Sequence, residues 1–310
     1  MSEQIENHAK ILWISDTTPE QMAKDPDERK LIYDNMLAHV RNVARPATQV
    51  DVNFVKDNAG TAFSPWMRYP RALLAVEVLE RVRRAEQDGY DAAFPGMCFG
   101  EFFLEDARQT VDMPVVGAAE STMALAQLLG KKFAVVTVGA RFQHVIEDRI
   151  RAHRWESRAI THRPVRYFTP ELTKMMVDAY NGRPERLIEE FDREARECIK
   201  DGADVVICGC NPYGAALAHV GYNEVSGTGI PVVTALSAMV KQAEMLVDLR
   251  RSLGIVKSGA LIGPYMTTPP EVMDDLTARG IPATPSADAE QRLYSARRQG
   301  WSGPAVDHAA

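Results

Sequence analysis

The sequence predicts an α/β fold made of two pseudosymmetric halves, each a small doubly wound domain with a parallel sheet. One phrase occurs twice: Asp88-Gly89-Tyr90-Asp91, a mostly apolar run over residues 92–97, then Cys98; and Asp201-Gly202-Ala203-Asp204, Val205-Val206-Ile207-Cys208-Gly209, then Cys210. Each copy is followed by an apolar run opening on proline (residues 114–118 and 231–235) and by a helix candidate carrying Met123 or Met239. Residues 10–15 and 132–137 are continuous apolar runs bounded by polar residues, as in parallel strands covered on both faces.

Taken in order, residues 10–15 open the first half and residues 49–55 form its second strand. Leu74, Val78 and Val82 recur at helical spacing ahead of the first duplicated phrase, and Asp88-Gly89 stops that helix. The second half repeats the plan with strands at 132–137 and 158–162. Leu187, Phe191, Ala195 and Ile199 make its helical stripe, and Asp201-Gly202 its stop. Strand, helix and strand with short links imply right-handed crossovers and parallel pairing. After Ser258 the chain contains Pro264, Pro269, Pro270, Pro282 and Pro285, and residues 300–304 read as loop or disordered terminus.

A length of 310 residues suits two domains, and 45% hydrophobic content is ample for two cores. The net charge of −6 and 7% aromatic content argue against a nucleic-acid partner, which needs a basic face. The basic runs Arg81-Val82-Arg83-Arg84 and Arg163-Pro164-Val165-Arg166 read as solvated faces. No apolar run approaches membrane-spanning length, so no membrane partner is expected, and the polar, acidic N-terminus lacks signal-peptide regions; the expected location is cytoplasmic. In that setting Cys98, Cys198, Cys208 and Cys210 are expected as reduced thiols. Cys208-Gly209-Cys210 lacks zinc-finger spacing, no His-Glu-x-x-His occurs, and Gly254, Gly259 and Gly263 make no dinucleotide fingerprint. Neither metal nor cofactor is expected.

Cys98 and Cys210 fall beyond the carboxyl ends of their strands, where reactive groups of such sheets sit. Each precedes a helix, whose N-terminal amides stabilise a thiolate. Two thiols on opposite sides of one carbon can remove a proton from one face and deliver one to the other. Racemisation needs this symmetry, because acid and base exchange roles with substrate hand. The developing enolate oxygen needs donors, and the loop Asn211-Pro212-Tyr213-Gly214 offers N–H and hydroxyl groups. Cys198, on a helical stripe, and Cys208, one step inside its strand, read as small core residues.

Cys98-Phe99-Gly100-Glu101 running on to Arg108, residues 113–120, and Gly209-Cys210 together resemble the cysteine segments of hydantoin and allantoin racemases, within the aspartate/glutamate racemase superfamily. The resemblance covers roughly residues 10–255. It implies two pseudosymmetric α/β domains with the active site in the cleft between them, no cofactor, a small-molecule substrate and a homo-oligomer. It further implies domains of residues 1–118 plus 236–310 and of residues 119–235. Carried over residue by residue, Cys98 and Cys210 are the acid/base pair. Gly96, Phe99 and Gly100 line the pocket by the first thiol, Thr137 supplies a hydroxyl, and Asn211, Pro212 and Tyr213 flank the second thiol.

Two departures bear on the substrate. Ser15-Asp16-Thr17-Thr18 stands where the family shows a neutral amide cradle, so the Asp16 carboxylate, beside Thr17 as a further substrate contact, favours an N–H donor or a cation over an anion. Asn211-Pro212-Tyr213 replaces smaller residues. A neutral ring with an acidic C–H, such as a 5-substituted hydantoin, fits best. Maleate isomerases also use two cysteines but bind a dianion, which Asp16 disfavours; related decarboxylases need only one of these thiols. A non-catalytic small-molecule binding protein with two lobes is a third reading.

Overall fold

The computed structural model describes residues 8–15, 23–55, 68–95, 101, 103–169, 171–260, 265–281 and 293–294. The first half runs β1 (Lys10–Ser15), α1 (Pro26–Val43), β2 (Gln49–Phe54), α2 (Arg68–Gln87), β3 (Ala92–Pro95), α3 (Leu104–Thr110) and α4 (Ala118–Leu129). The second half runs β4 (Phe133–Val138), α5 (Ala140–Ala152), β5 (Val165–Phe168), α6 (Leu172–Tyr180), α7 (Glu185–Lys200), β6 (Val205–Cys208), α8 (Asn211–His219), β7 (Val232–Thr234) and α9 (Ala235–Leu253). α10 (Pro270–Ala278) and β8 (Leu293–Tyr294) complete the described elements.

The sheets are ordered β3-β1-β2-β8 and β5-β4-β6-β7. All pairings are parallel except β2 with β8. Val115 adds a single parallel bridge to Ala93 at the outer edge of β3. The first sheet therefore reads bridge-β3-β1-β2 and the second β7-β6-β4-β5, the same winding twice. Positions that repeat in sequence repeat in topology, so β3 and β6 are equivalent strands. Met123 on α4 and Met239 on α9 are both buried, and these two equivalent helices pack on each other.

β1 and β4 sit inside their sheets, which explains their unbroken apolar runs. Alternation sends Ile11 and Trp13 to one face and Leu12 and Ile14 to the other. The first pair joins the large core that continues through α1, α4 and α9 into the second sheet; the second pair packs with Val78, Val82, Leu104 and Val115. Asp25 caps α1, accepting from the amides of Asp27 (2.8 Å) and Glu28 (3.1 Å), with proline in the first turn. Gly89 and Gly202, the helix stops, have φ of 77° and 98°, which favour glycine. The far end of α9 is tied to the first sheet: Arg45 pairs with Asp248 at 2.7 Å, and Arg251 with Asp91 at 2.6 Å.

Four expectations need correction. Residues 158–162 contribute one bridge, Ala159 to Phe133; the strand beside β4 is residues 165–168, in register with Val135–Val138. Arg163, with φ of 47°, separates the two. Accordingly the run 163–166 is no solvated face: Val165 is core, and buried Arg166 pairs with Asp201 at 2.5 Å. The residues after Cys210 are the first turn of α8 rather than a loop, with proline in that turn. Residues 114–118 give a single bridge where a strand was expected. Residues 300–304 lie outside the described residues. Among the described residues no helix is long and apolar enough to cross a membrane.

Candidate active site

β4 and β6 are neighbours, and their carboxyl ends hold the described half of the site. The Gly209 amide donates to the Val136 carbonyl at 2.8 Å, and Thr137 Oγ1 donates to the Gly209 carbonyl at 3.1 Å. A Cβ on Gly209 would lie 2.8 Å from Val135 Cγ1, so only glycine lets the chain pass this close. The residue ahead of Cys210 is thus clamped on three sides.

Cys210 is the N-cap of α8, with extended backbone, and its carbonyl accepts from the Gly214 amide at 2.8 Å. Its side chain is buried, at the positive end of the helix dipole. Cys208 ends β6, and its thiol donates to the Cys210 carbonyl at 3.6 Å. Cys198 lies on the buried stripe of α7, and burial, chiefly, pushes its thiol up to about 12. Such a thiol stays neutral at physiological pH.

The predicted substrate contacts divide. Thr137 is buried, with its hydroxyl committed to Gly209. The Tyr213 hydroxyl donates to the Leu187 carbonyl, and its ring packs on Phe168 and Phe191. Burial, foremost, raises its pKa, and the hydroxyl expected to serve an enolate is occupied. Pro212, buried beside it, has no N–H to offer. Asn211 differs: it is fully buried, and among the described residues neither Oδ1 nor Nδ2 has a partner.

Asp16, Thr17, Gly96, Cys98, Phe99 and Gly100 lie outside the described residues. β3 ends at Pro95, paired with Ile14, three residues before Cys98. Three residues past Cys98, the Glu101 carboxylate accepts from the amides of Ala119 and Glu120, each at 2.8 Å. It thereby caps α4, the favourable place for a negative charge. A Cβ on Gly117 would stand 2.1 Å from Glu101 Oε2, so a larger residue there would push the carboxylate off these amides. The carboxylate also meets His153 Nε2 at 2.9 Å, where α5 ends.

Sequence reasoning missed His153 and Tyr180, and read Glu101 only as part of a motif. Tyr180 closes α6; its buried hydroxyl has no partner among the described residues, its ring meets His219 edge-on, and burial foremost, then the nearby Cys210 thiol, raises its pKa. No local spacing links 101 with 153 or 180 with 210. The only available signal was a carboxylate three residues past the first thiol. No group of three His, Cys, Asp or Glu residues that could hold a metal converges among the described residues.

Residues 31–243 match the family model described as Asp/Glu/Hydantoin racemase. The chain belongs to this family. It is 30% identical over 231 residues to a hydantoin racemase of Pseudomonas sp. (strain NS671), covering 72% of this chain and 85% of the relative. A hydantoin racemase of Paenarthrobacter aurescens is 26% identical over 182 residues, 58% of this chain and 72% of that one. Among solved structures, allantoin racemase from Pseudomonas fluorescens superposes with a TM-score of 0.63 at 24% identity. That likeness covers 84% of this chain and 97% of the other, and it concerns the fold. Family membership makes this racemase-family chain an enzyme of the isomerase class.

Proposed function

We propose that this chain is a cofactor-independent racemase acting on a carbon acid, a 5-substituted hydantoin or similar ring, with Cys98 and Cys210 as its acid/base pair in the cleft between the two halves. The observation that carries this reading is the equivalence of β3 and β6. Each stands next to the central strand of its sheet, and each is followed within three residues by a cysteine. The two domains would be residues 1–118 plus 236–310 and residues 119–235, so that α4 and α9, the last helices of the two sequence halves, each lie in the opposite domain; the ion pairs that bind α9 to Arg45 and Asp91 support this division.

In the reaction one thiolate takes the C5 proton. The C–H electron pair becomes a carbon–carbon π bond as the carbonyl π pair moves onto oxygen. The enolate then collapses, taking a proton from the opposite thiol on the other face. The thiols finish with exchanged protonation states, ready for the opposite hand or for re-equilibration with water.

The test is optical rotation of a single-handed 5-substituted hydantoin incubated with the purified chain and no additive. Decay to zero rotation at a rate proportional to enzyme supports the reading. Unchanged rotation across neutral and charged side chains rules it out.

A further inference from the structure

Asn211 stands one residue past Cys210, at the head of α8, with its side chain sealed from solvent. A primary amide can donate two hydrogen bonds and accept two, yet among the described residues neither Oδ1 nor Nδ2 has a partner. Burying such a group unsatisfied is unfavourable, and a leucine would fill similar space without that cost. Stability therefore does not account for the amide. Nor can the neighbouring hydroxyls substitute for it, since those of Thr137 and Tyr213 already donate to Gly209 and Leu187.

We infer that the Asn211 carboxamide reads the substrate's cis-amide edge: Nδ2 donates to the carbonyl oxygen next to the acidic C–H, and Oδ1 accepts the adjacent ring N–H. This deepens the racemase reading and rests on it. A cyclic ureide, lactam or imide presents an acceptor and a donor side by side, the complement of a primary amide. A carboxylate presents two acceptors and leaves Oδ1 facing an oxygen, so Asn211 selects neutral rings over dicarboxylates. As the C5 proton leaves, charge develops on the oxygen that Nδ2 holds, and the contact strengthens in the transition state.

The experiment pairs a 5-substituted hydantoin with its N3-methyl derivative, in the wild type, Asn211→Ala and Asn211→Asp. The expected wild-type preference for the N3–H ring is about tenfold or more in kcat/KM, the scale of one lost hydrogen bond in a polar site. Asn211→Ala should lose at least that factor on the N3–H ring and discriminate little between the two rings. Asn211→Asp keeps an acceptor but lacks the donor, and should lose kcat. An Asn211→Ala enzyme that keeps the wild-type preference, with kcat/KM unchanged, overturns the inference. Ligand-induced thermal stabilisation of the same combinations reads the contact without turnover. A wild type that is inactive yet stabilised only by the N3–H ring overturns the racemase reading and supports the contact. Stabilisation indifferent to N3 methylation overturns the contact.

Discussion

The carboxylate of Glu101 and the imidazole of His153 meet at 2.9 Å, joining the segment that follows Cys98 to the end of the helix after β4. The same carboxylate holds two amides of α4 and rests against Gly117, which has no side chain to displace it. One acidic group thus links residue 101 to the head of α4 and the end of α5.

Glu101→Gln keeps the size of the side chain but removes the charge at the head of α4, and should cost about 1 kcal/mol of stability. Gly117→Ala should cost more, since the added Cβ collides with that carboxylate. Urea unfolding of both variants at neutral pH measures this, and parallel racemisation assays should show kcat falling with the stability loss. Two variants indistinguishable from wild type in both assays would remove Glu101 from the account.

The pH dependence of stability should carry two separable contributions. Burial lowers the pKa of His39, whose Nε2 lies 2.9 Å from Ser237 Oγ. A lowered histidine pKa means the unfolded chain binds the proton first. Its contribution is therefore complete above about pH 6.5 and declines as pH falls below that value. His39→Gln should flatten the stability curve in that window, measured as unfolding free energy against pH.

Glu244 acts lower on the scale. Burial by itself would raise its carboxyl. Hydrogen bonds from the Arg45 amide and Lys241 outweigh burial and hold it below the ordinary value. Its contribution is complete above about pH 4.3 and is lost as pH falls through the lower folded value. Glu244→Gln should destabilise the protein at neutral pH and reduce the steepness of acid unfolding. An unchanged acid limb would contradict the assignment.

Tyr180→Phe removes a buried hydroxyl that has no partner among the described residues. The melting temperature should hold or rise, because no bond is lost. A kcat/KM that falls about tenfold, the worth of one hydrogen bond, would place that hydroxyl on the bound substrate. Equal activity would make Tyr180 a packing residue alone.

Much of this architecture could be read from the chain because its causes are local. Continuous apolar runs marked β1, β4 and β6, the α7 stripe ran along Leu187, Phe191 and Ala195, and Gly89 and Gly202 stopped their helices. The duplicated phrase revealed the equivalence of β3 and β6, since repeated topology leaves repeated sequence. What could not be read depends on distant partners. Residues 158–162 look like a strand as well as 165–168 do, and only alignment with β4 chooses between them. Arg166 looks solvated until Asp201, from the other end of α7, reaches it. Tyr213 looks like a site aromatic until Leu187 takes its hydroxyl. Asn211 was legible as a residue beside a thiol, but its missing hydrogen bonds emerge only from the packing of α8.

The most direct test of the central claim is proton NMR in D2O, following the C5–H signal of each hand of a 5-substituted hydantoin with wild type, Cys98→Ser and Cys210→Ser. Two-thiol transfer predicts that wild type exchanges and inverts both hands. Each single variant should fail to invert, and any remaining exchange should be confined to one hand, opposite in the two variants. Racemisation of both hands persisting in either variant would contradict a mechanism in which Cys98 and Cys210 serve opposite faces.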